Sequence, residues 1–427
     1  MSAGILRSGV IYGGANLLAA GVPFLLLPIL TRQLTPAQYG EVVSFFMVVA
    51  ICASIAGLGL HGAVGIRWLD SSKGDPRRYT GSAILLTLCT TVLAAVLSAT
   101  LAPRFGIDLP YAVCALAAVT AGAATLQGMR FSVWQSRDRA LPAATLQVSS
   151  ASLNVALSLV AVLILHWGGL GRIYGSAAAV CLIGAVSIWL LVRDGSATHA
   201  ASRDIRALLR FGVPLMPHAL AGALLANADR FAVSAQLGVA ALGIYGAASQ
   251  IGMVMGVIAD ASVKAYTPTL YRMLSRNSAR SRLRLVAVAL LSTVVWPLLA
   301  CAVWGVFLLI GPWLLGEKYL ESIQLSLWFL LGGAVTGIYL NIAALFFFTG
   351  KTEWISLATL TASGLALVLA PYAVSRFGLQ GGGATYLAVQ VALLIAAWAL
   401  SCVIHPMPWH RPLLAVRVLF RQRRVPQ

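Results

Sequence analysis

Twelve apolar stretches, most of them 20 residues or longer, follow one another along this chain, separated by short segments where Gly, Pro and charge collect. About 20 mostly apolar residues in a helix cross the hydrocarbon core of a bilayer. Lipid offers backbone groups no partners, so a spanning chain must be helical or a closed barrel. The stretches fall at 9–30, 41–62, 80–102, 110–130, 142–166 and 173–192, then at 211–235, 240–262, 285–311, 322–349, 354–375 and 382–404. The expected fold is an all-α polytopic membrane protein of about 12 transmembrane helices. Composition agrees, because 10% of residues are charged and 59% hydrophobic, whereas a soluble domain has about a quarter of its residues charged. The first run, Val10 to Leu30, is too long for a signal-peptide core and is read as a retained span.

Charge orients the spans. The chain carries 30 Lys+Arg against 12 Asp+Glu, a net +18. In a soluble protein that balance would suggest nucleic acid; here the basic residues sit between apolar spans, and no nucleic-acid partner is expected. With the N-terminus in the cytoplasm, 24 basic residues fall on the cytoplasmic side. Five fall on the other side (Arg32, Arg104, Arg172, Lys318 and Arg376), and Arg230 alone lies within a span. This is the positive-inside asymmetry of a cytoplasmic-membrane protein with both termini inside. The six cysteines lie in apolar stretches without metal-site spacing and are read as small buried hydrophobes.

The halves repeat. A shift of 203 residues aligns Gly9-Val10 with Gly212-Val213, Gln33-Leu34 with Gln236-Leu237, and Gly40 with Gly243; a shift of about 210 aligns Gly168 with Gly378 and Gly171 with Gly381. Six spans per half is an even number, so the halves run the same way. The expected organisation is a six-helix lobe at 1–195, a cytoplasmic linker at 196–209, a second six-helix lobe at 210–404 and a basic cytoplasmic tail at 405–427. Such parallel repeats enclose a central cavity and rock about it.

Polar residues inside spans are costly in lipid and mark candidate sites. Asn227, Asp229 and Arg230 stand together in span seven. Neighbouring helix positions point about 100° apart, so Asp229 and Arg230 cannot face one another and at least one looks into the bundle. A buried ion pair with another helix and a cavity-lining charge are both open readings. Asp260 and Lys264, four apart at the inner end of span eight, can pair along one helix face. Arg67 lies near the inner end of span two, where snorkelling to headgroups is the bland reading. Asn16 in span one and His61 at the end of span two are polar and neutral. No P-loop, no HExxH and no outward-facing carboxylate pair occurs, so no catalytic residue, metal or cofactor is expected.

Several segments resemble the Wzx-type oligosaccharide-lipid flippases of the multidrug/oligosaccharidyl-lipid/polysaccharide exporter superfamily. These are Pro28-Ile29-Leu30-Thr31-Arg32-Gln33-Leu34-Thr35-Pro36-Ala37-Gln38-Tyr39-Gly40; Gly57-Leu58-Gly59-Leu60 leading to Arg67; Asn227, Asp229 and Arg230 followed by Gln236-Leu237-Gly238 and Leu242-Gly243-Ile244-Tyr245; and Tyr266, Pro268 and Tyr271. The resemblance implies two six-helix lobes around a cavity lined by helices one, two, seven and eight. Cationic residues there would meet the diphosphate of a polyprenyl-linked oligosaccharide destined for O-antigen, capsule or exopolysaccharide. Membrane lipid, a polysaccharide polymerase and glycosyltransferases are the implied partners. Twelve helices fall short of the fourteen of the peptidoglycan-precursor flippases. A drug exporter of the same superfamily would want acidic cavity residues, and here each acidic intramembrane position has a basic neighbour. A membrane polymerase or ligase would want a sizeable outer loop, and the outer loops here are short.

Overall fold

The computed structural model describes residues 3–276, 278–409 and 412–420. Among them the chain is helical throughout, without a strand. The first helix, α1 (Ala3–Gln33), turns into α2 (Pro36–Gly57) over two residues. Thr35 closes that turn as a capping box: its hydroxyl accepts from the Gln38 backbone N–H at 3.3 Å, and the Gln38 side chain accepts from the Thr35 N–H at 3.0 Å. Pro36 at the first helical position has no N–H to leave unpaired. The chain then forms α3 (Leu60–Leu69), α4 (Pro76–Leu101), α5 (Tyr111–Ser136), α6 (Ala140–Leu159) and α7 (Gly168–Arg193). It continues as α8 (Ser202–Leu225), α9 (Ala228–Arg276), α10 (Ala279–Leu314), α11 (Glu321–Thr349), α12 (Thr352–Ile404) and α13 (Pro412–Phe420).

Ten of the described helices are long and apolar enough to cross a membrane. The 53-residue α12 turns at Gly378 (φ 59°, ψ −140°) and supplies two of the expected spans; α1, at 31 residues, supplies the first. The described helices thus agree with a fold of about ten to twelve spans. Two boundaries differ. Span two stops at Gly57 because Leu58 (φ 44°) and Gly59 (φ 65°) are both left-handed. His61 therefore sits on the short α3 and not at the end of span two. Span seven is interrupted, because α8 ends at Leu225 and α9 begins at Ala228. The cysteines are all free, but Cys89 and Cys301 are exposed, which corrects the reading of all six as buried. They lie on outward faces of α4 and α10, where lipid accepts an apolar side chain.

The repeat has a local signature in each half. Gly168 and Gly378 share a φ of 59°. A Cβ on Gly171 would meet the Ala161 carbonyl and the Cβ of Trp167, and a Cβ on Gly381 would meet the Ala373 carbonyl and the Cβ of Phe377, each aromatic residue four positions earlier. At the other shift the equivalent residues touch crosswise. A Cβ on Gly40 would run into the Val239 carbonyl, and a Cβ on Gly243 would run into the Pro36 carbonyl. Since 36 corresponds to 239 and 40 to 243, the same contact is made twice, so glycine at both positions lets α2 and the start of the second span of α9 touch backbone to backbone.

Contacts divide the chain into two compact units. One is Met1–Gly246 with Leu315–Lys318; the other is Ala247–Leu314 with Tyr319–Gln427. The segment expected as a linker, 196–209, lies inside the first unit and is stitched to it. The Ala197 N–H bonds the Leu191 carbonyl (2.9 Å) and the Thr198 N–H the Arg77 carbonyl (3.2 Å). The Ala201 N–H bonds the Ser82 hydroxyl (2.9 Å), and Arg78 pairs with Asp204 at 2.7 Å. Leu208, fully buried, completes an apolar cluster with Leu60, Val64, Met129 and Leu191.

At the head of this strap Arg130, 2% exposed, pairs with Asp194 at 2.7 Å and stacks on Trp134. Burial opposes ionisation of Asp194, but hydrogen bonds from Arg130 and Ser196 outweigh it and hold the carboxyl below its ordinary value. That stabilisation is complete above the unfolded carboxylate pKa and disappears as pH falls through the lower folded one. Asp194→Ala leaves the guanidinium buried and unpaired, at a cost of about 3–5 kcal/mol. The expected result is a lower unfolding temperature of the detergent-purified protein, recovered in part by adding Arg130→Met. An unchanged unfolding temperature would show that the pair does not hold the strap.

Candidate functional site

The interruption of span seven builds the site. At the break the Asn227 N–H bonds Leu224 at 3.1 Å instead of the carbonyl four residues back. That carbonyl, of Ala223, is taken by the Asn227 side-chain amide at 2.8 Å. One side chain thus satisfies the backbone that its own turn leaves open, which a break inside a membrane requires. The remaining oxygen of Asn227 accepts from Arg230 Nη1 at 3.1 Å. Asp229 is 4% exposed and accepts from the Tyr245 hydroxyl at 2.6 Å. Asp229 and Arg230 thus point apart, as adjacent helix positions must, while Arg230 remains the foremost cation acting on the carboxylate.

Tyr39, 3% exposed, lies within electrostatic reach of both Arg230 and Arg172. Its helix is held by the Thr35 cap and by the crosswise glycine contact one residue on. Arg172, expected in an outer loop, is instead the fifth residue of α7 and 8% exposed. Its guanidinium donates to Asn154 (2.7 Å) and Ser158 (2.6 Å), both neutral. The sequence carries a signal for this placement: Asn154 and Ser158, four apart in span five, present two polar groups on one face of an apolar helix. The first unit thus gathers two arginines, one carboxylate and two tyrosines in its apolar interior. Two cations against one anion is a group that attracts negative charge.

Lys264 and Asp260 belong to the second unit and pair at 2.6 Å, each 59% exposed; a pair this exposed contributes about 0–1 kcal/mol. The Arg67 guanidinium lies 4.1 Å over the Tyr79 ring beside the strap. His61 is exposed, with its Cβ against Gly128. Asn16 lies on α1, and its side chain falls outside the described residues.

An all-helical chain of about twelve spans, built as a parallel repeat with charge at a helix break, defines a multi-pass membrane protein of the two-lobe transporter fold. The family model for polysaccharide biosynthesis proteins matches residues 5–274. The chain belongs to that family. It is 24% identical over 368 residues to the "Lsg locus putative protein 1" of Haemophilus influenzae, covering 82% of this chain and 87% of that one. Among solved structures it resembles the lipid II flippase MurJ in its inward closed conformation, with a TM-score of 0.69 and 12% identity over 99% of this chain and 94% of that one. It also resembles an inward-facing multidrug resistance MATE family transporter of the MOP superfamily, with a TM-score of 0.67 and 16% identity over 99% of this chain and 100% of that one. The expected resemblance is thus found at the level of family and fold.

Proposed function

We propose that this protein flips polyprenyl-diphosphate-linked oligosaccharide from the cytoplasmic to the outer leaflet of the inner membrane, by alternating access, for surface polysaccharide synthesis. The observation that carries this reading is membership of the polysaccharide biosynthesis family on a fold shared with a lipid flippase. The site supports it chemically. A diphosphate is anionic, and at an effective dielectric of about 20 two unit charges 4 Å apart attract by about 4 kcal/mol. Arg230, half-buried at the helix break, is the residue assigned to that head, with Asn227 orienting its guanidinium. The chain does no bond chemistry in this role and is not an enzyme. Both termini are assigned to the cytoplasm by the positive-inside asymmetry.

The second reading is small-molecule export, favoured by the likeness to the MATE transporter. A cation exporter needs a carboxylate to receive its cargo, and Asp229, the buried carboxylate of this group, already holds Tyr245 and sits beside Arg230.

Deletion of the gene separates the two. The expected result is accumulation of lipid-linked oligosaccharide and loss of surface glycan. Intact surface glycan with altered drug efflux would sink the flippase reading in favour of the exporter.

A further inference from the structure

The short helix α13 in the tail has two unlike faces. Ala415 is fully buried in one cluster with Leu270 and Leu274 of α9 and Leu285 and Val286 of α10. Leu413, Leu414 and Arg417 lie roughly on the other side of the helix, since positions three and four apart are neighbours. All three are exposed, Leu413 by 78%. In water, adjacent leucines on an open face are unfavourable. The sequence around them is basic: Arg411, Arg417, Arg421, Arg423 and Arg424 occur between 411 and 424, with no acidic residue. An apolar helix face edged by arginine is the pattern of a helix lying in a membrane surface.

The neighbours of α13 stand at that level. Tyr271 packs on the same cluster as Ala415, and its ring meets Phe348 with centroids 5.6 Å apart. Phe347 and Phe348 close α11 and Trp354 opens α12, and all three are exposed. Trp398, also exposed, stands edge-on to Trp409 with centroids 6.2 Å apart. Exposed aromatic residues at one end of spanning helices mark the boundary between hydrocarbon and headgroups. Arg272, Arg276, Arg280, Arg282 and Lys351 surround the α9–α10 and α11–α12 turns at this end, which the positive-inside asymmetry assigns to the cytoplasm. The helix α13 packs on α10, whose Val294, Val295 and Leu298 are exposed further along the span. Its leucines therefore lie beside a helix whose apolar face already meets lipid.

We propose that α13 lies in the headgroup layer of the anionic inner leaflet, with Leu413 and Leu414 among the acyl chains and Arg417 at the phosphates. Anionic phospholipid is the partner that fits, because the face is apolar and its flanks carry positive charge alone. The surface holds the inner ends of α9 and α10 against the bilayer, whatever the protein transports.

The test uses the full-length protein in nanodiscs of phosphatidylglycerol that carries a diazirine on one acyl chain, with peptide mapping of the lipid adducts after illumination. Adducts are expected on the 412–420 peptide as well as on the exposed face of α10. Replacing both leucines, Leu413→Asp with Leu414→Asp, is expected to reduce the tail adducts at least about tenfold, because two large apolar side chains leave the lipid. The α10 adducts should not change, which shows that the variant is folded and in the bilayer. The same photoprobe on phosphatidylcholine is expected to give severalfold fewer tail adducts. Nanodiscs hold no other protein, so a tail free of adducts beside a labelled α10 would mean that lipid does not cover the leucine face, and the proposal is overturned. Tail adducts that survive the double substitution overturn it as well. Equal yields from the two lipids overturn the assignment to anionic lipid.

Discussion

Arg230→Ala is expected to abolish surface polysaccharide while the protein remains in the membrane. Transport should fall to the level of the gene deletion, because in this account Arg230 is the cation that meets the diphosphate. The substitution also acts on the fold. Asp229 is 4% exposed, and Arg230 is the foremost cation opposing its burial. Removing that cation leaves a buried carboxylate with less to offset its burial, which destabilises the fold. A loss of polysaccharide in Arg230→Ala could therefore report unfolding alone. Combining Arg230→Ala with Asp229→Asn removes the uncompensated carboxylate and leaves the Tyr245 hydroxyl an oxygen to donate to. The double variant should regain membrane abundance and remain inactive. Arg230→Lys keeps the charge without the planar fork that reaches Asn227, and intermediate transport is expected. Normal polysaccharide in the double variant would remove Arg230 from the mechanism and leave the family assignment standing.

Gly40→Ala and Gly243→Ala are each expected to destabilise the protein by about 1–3 kcal/mol, the range for overpacking a close contact. In both, the added carbon meets a backbone carbonyl, which cannot rotate aside as a side chain can. The two contacts lie on the same helix crossing, so either substitution pushes the same two helix starts apart. The second then has less to push against, and the double variant should lose less than the two single losses combined. Thermal unfolding of the four purified proteins measures the cycle. Fully additive losses would mean that the two glycines act on separate contacts, and the crosswise packing of the repeat would be wrong. Wild-type stability in both single variants would mean the helices do not meet there.

Much of this architecture is legible in the sequence for physical reasons. A bilayer demands long apolar runs, so the span count survives into the structure even where helices fuse, as in α12. The repeat is visible because backbone-to-backbone contacts and left-handed turns demand glycine, at Gly40 and Gly243 and at Gly168 and Gly378. What stays hidden depends on local hydrogen bonding that hydropathy does not record. Span seven reads as one apolar run, yet it breaks at Asn227, whose side chain replaces a missing backbone bond. Arg172 reads as a loop residue because it follows Gly168, Gly169 and Gly171, yet those glycines lie in the first turn of α7 and carry the arginine into the interior. The 196–209 segment reads as a linker because it is short and polar; its pairing of Arg78 with Asp204 joins residues far apart in the chain. Asp229 and Arg230 were legible as a costly pair, but their partners Tyr245 and Asn227 became identifiable only in three dimensions.

The most direct test of the central claim is a leaflet-resolved transfer assay in proteoliposomes. Purified protein is reconstituted with a labelled polyprenyl-diphosphate oligosaccharide placed in one leaflet, and the label reaching the other leaflet is read by a membrane-impermeant sugar-modifying reagent. The account predicts transfer that requires the wild-type protein and is lost in the Arg230→Ala, Asp229→Asn double variant. Transfer no faster than in protein-free vesicles, under conditions where the reconstituted protein is folded, would contradict it.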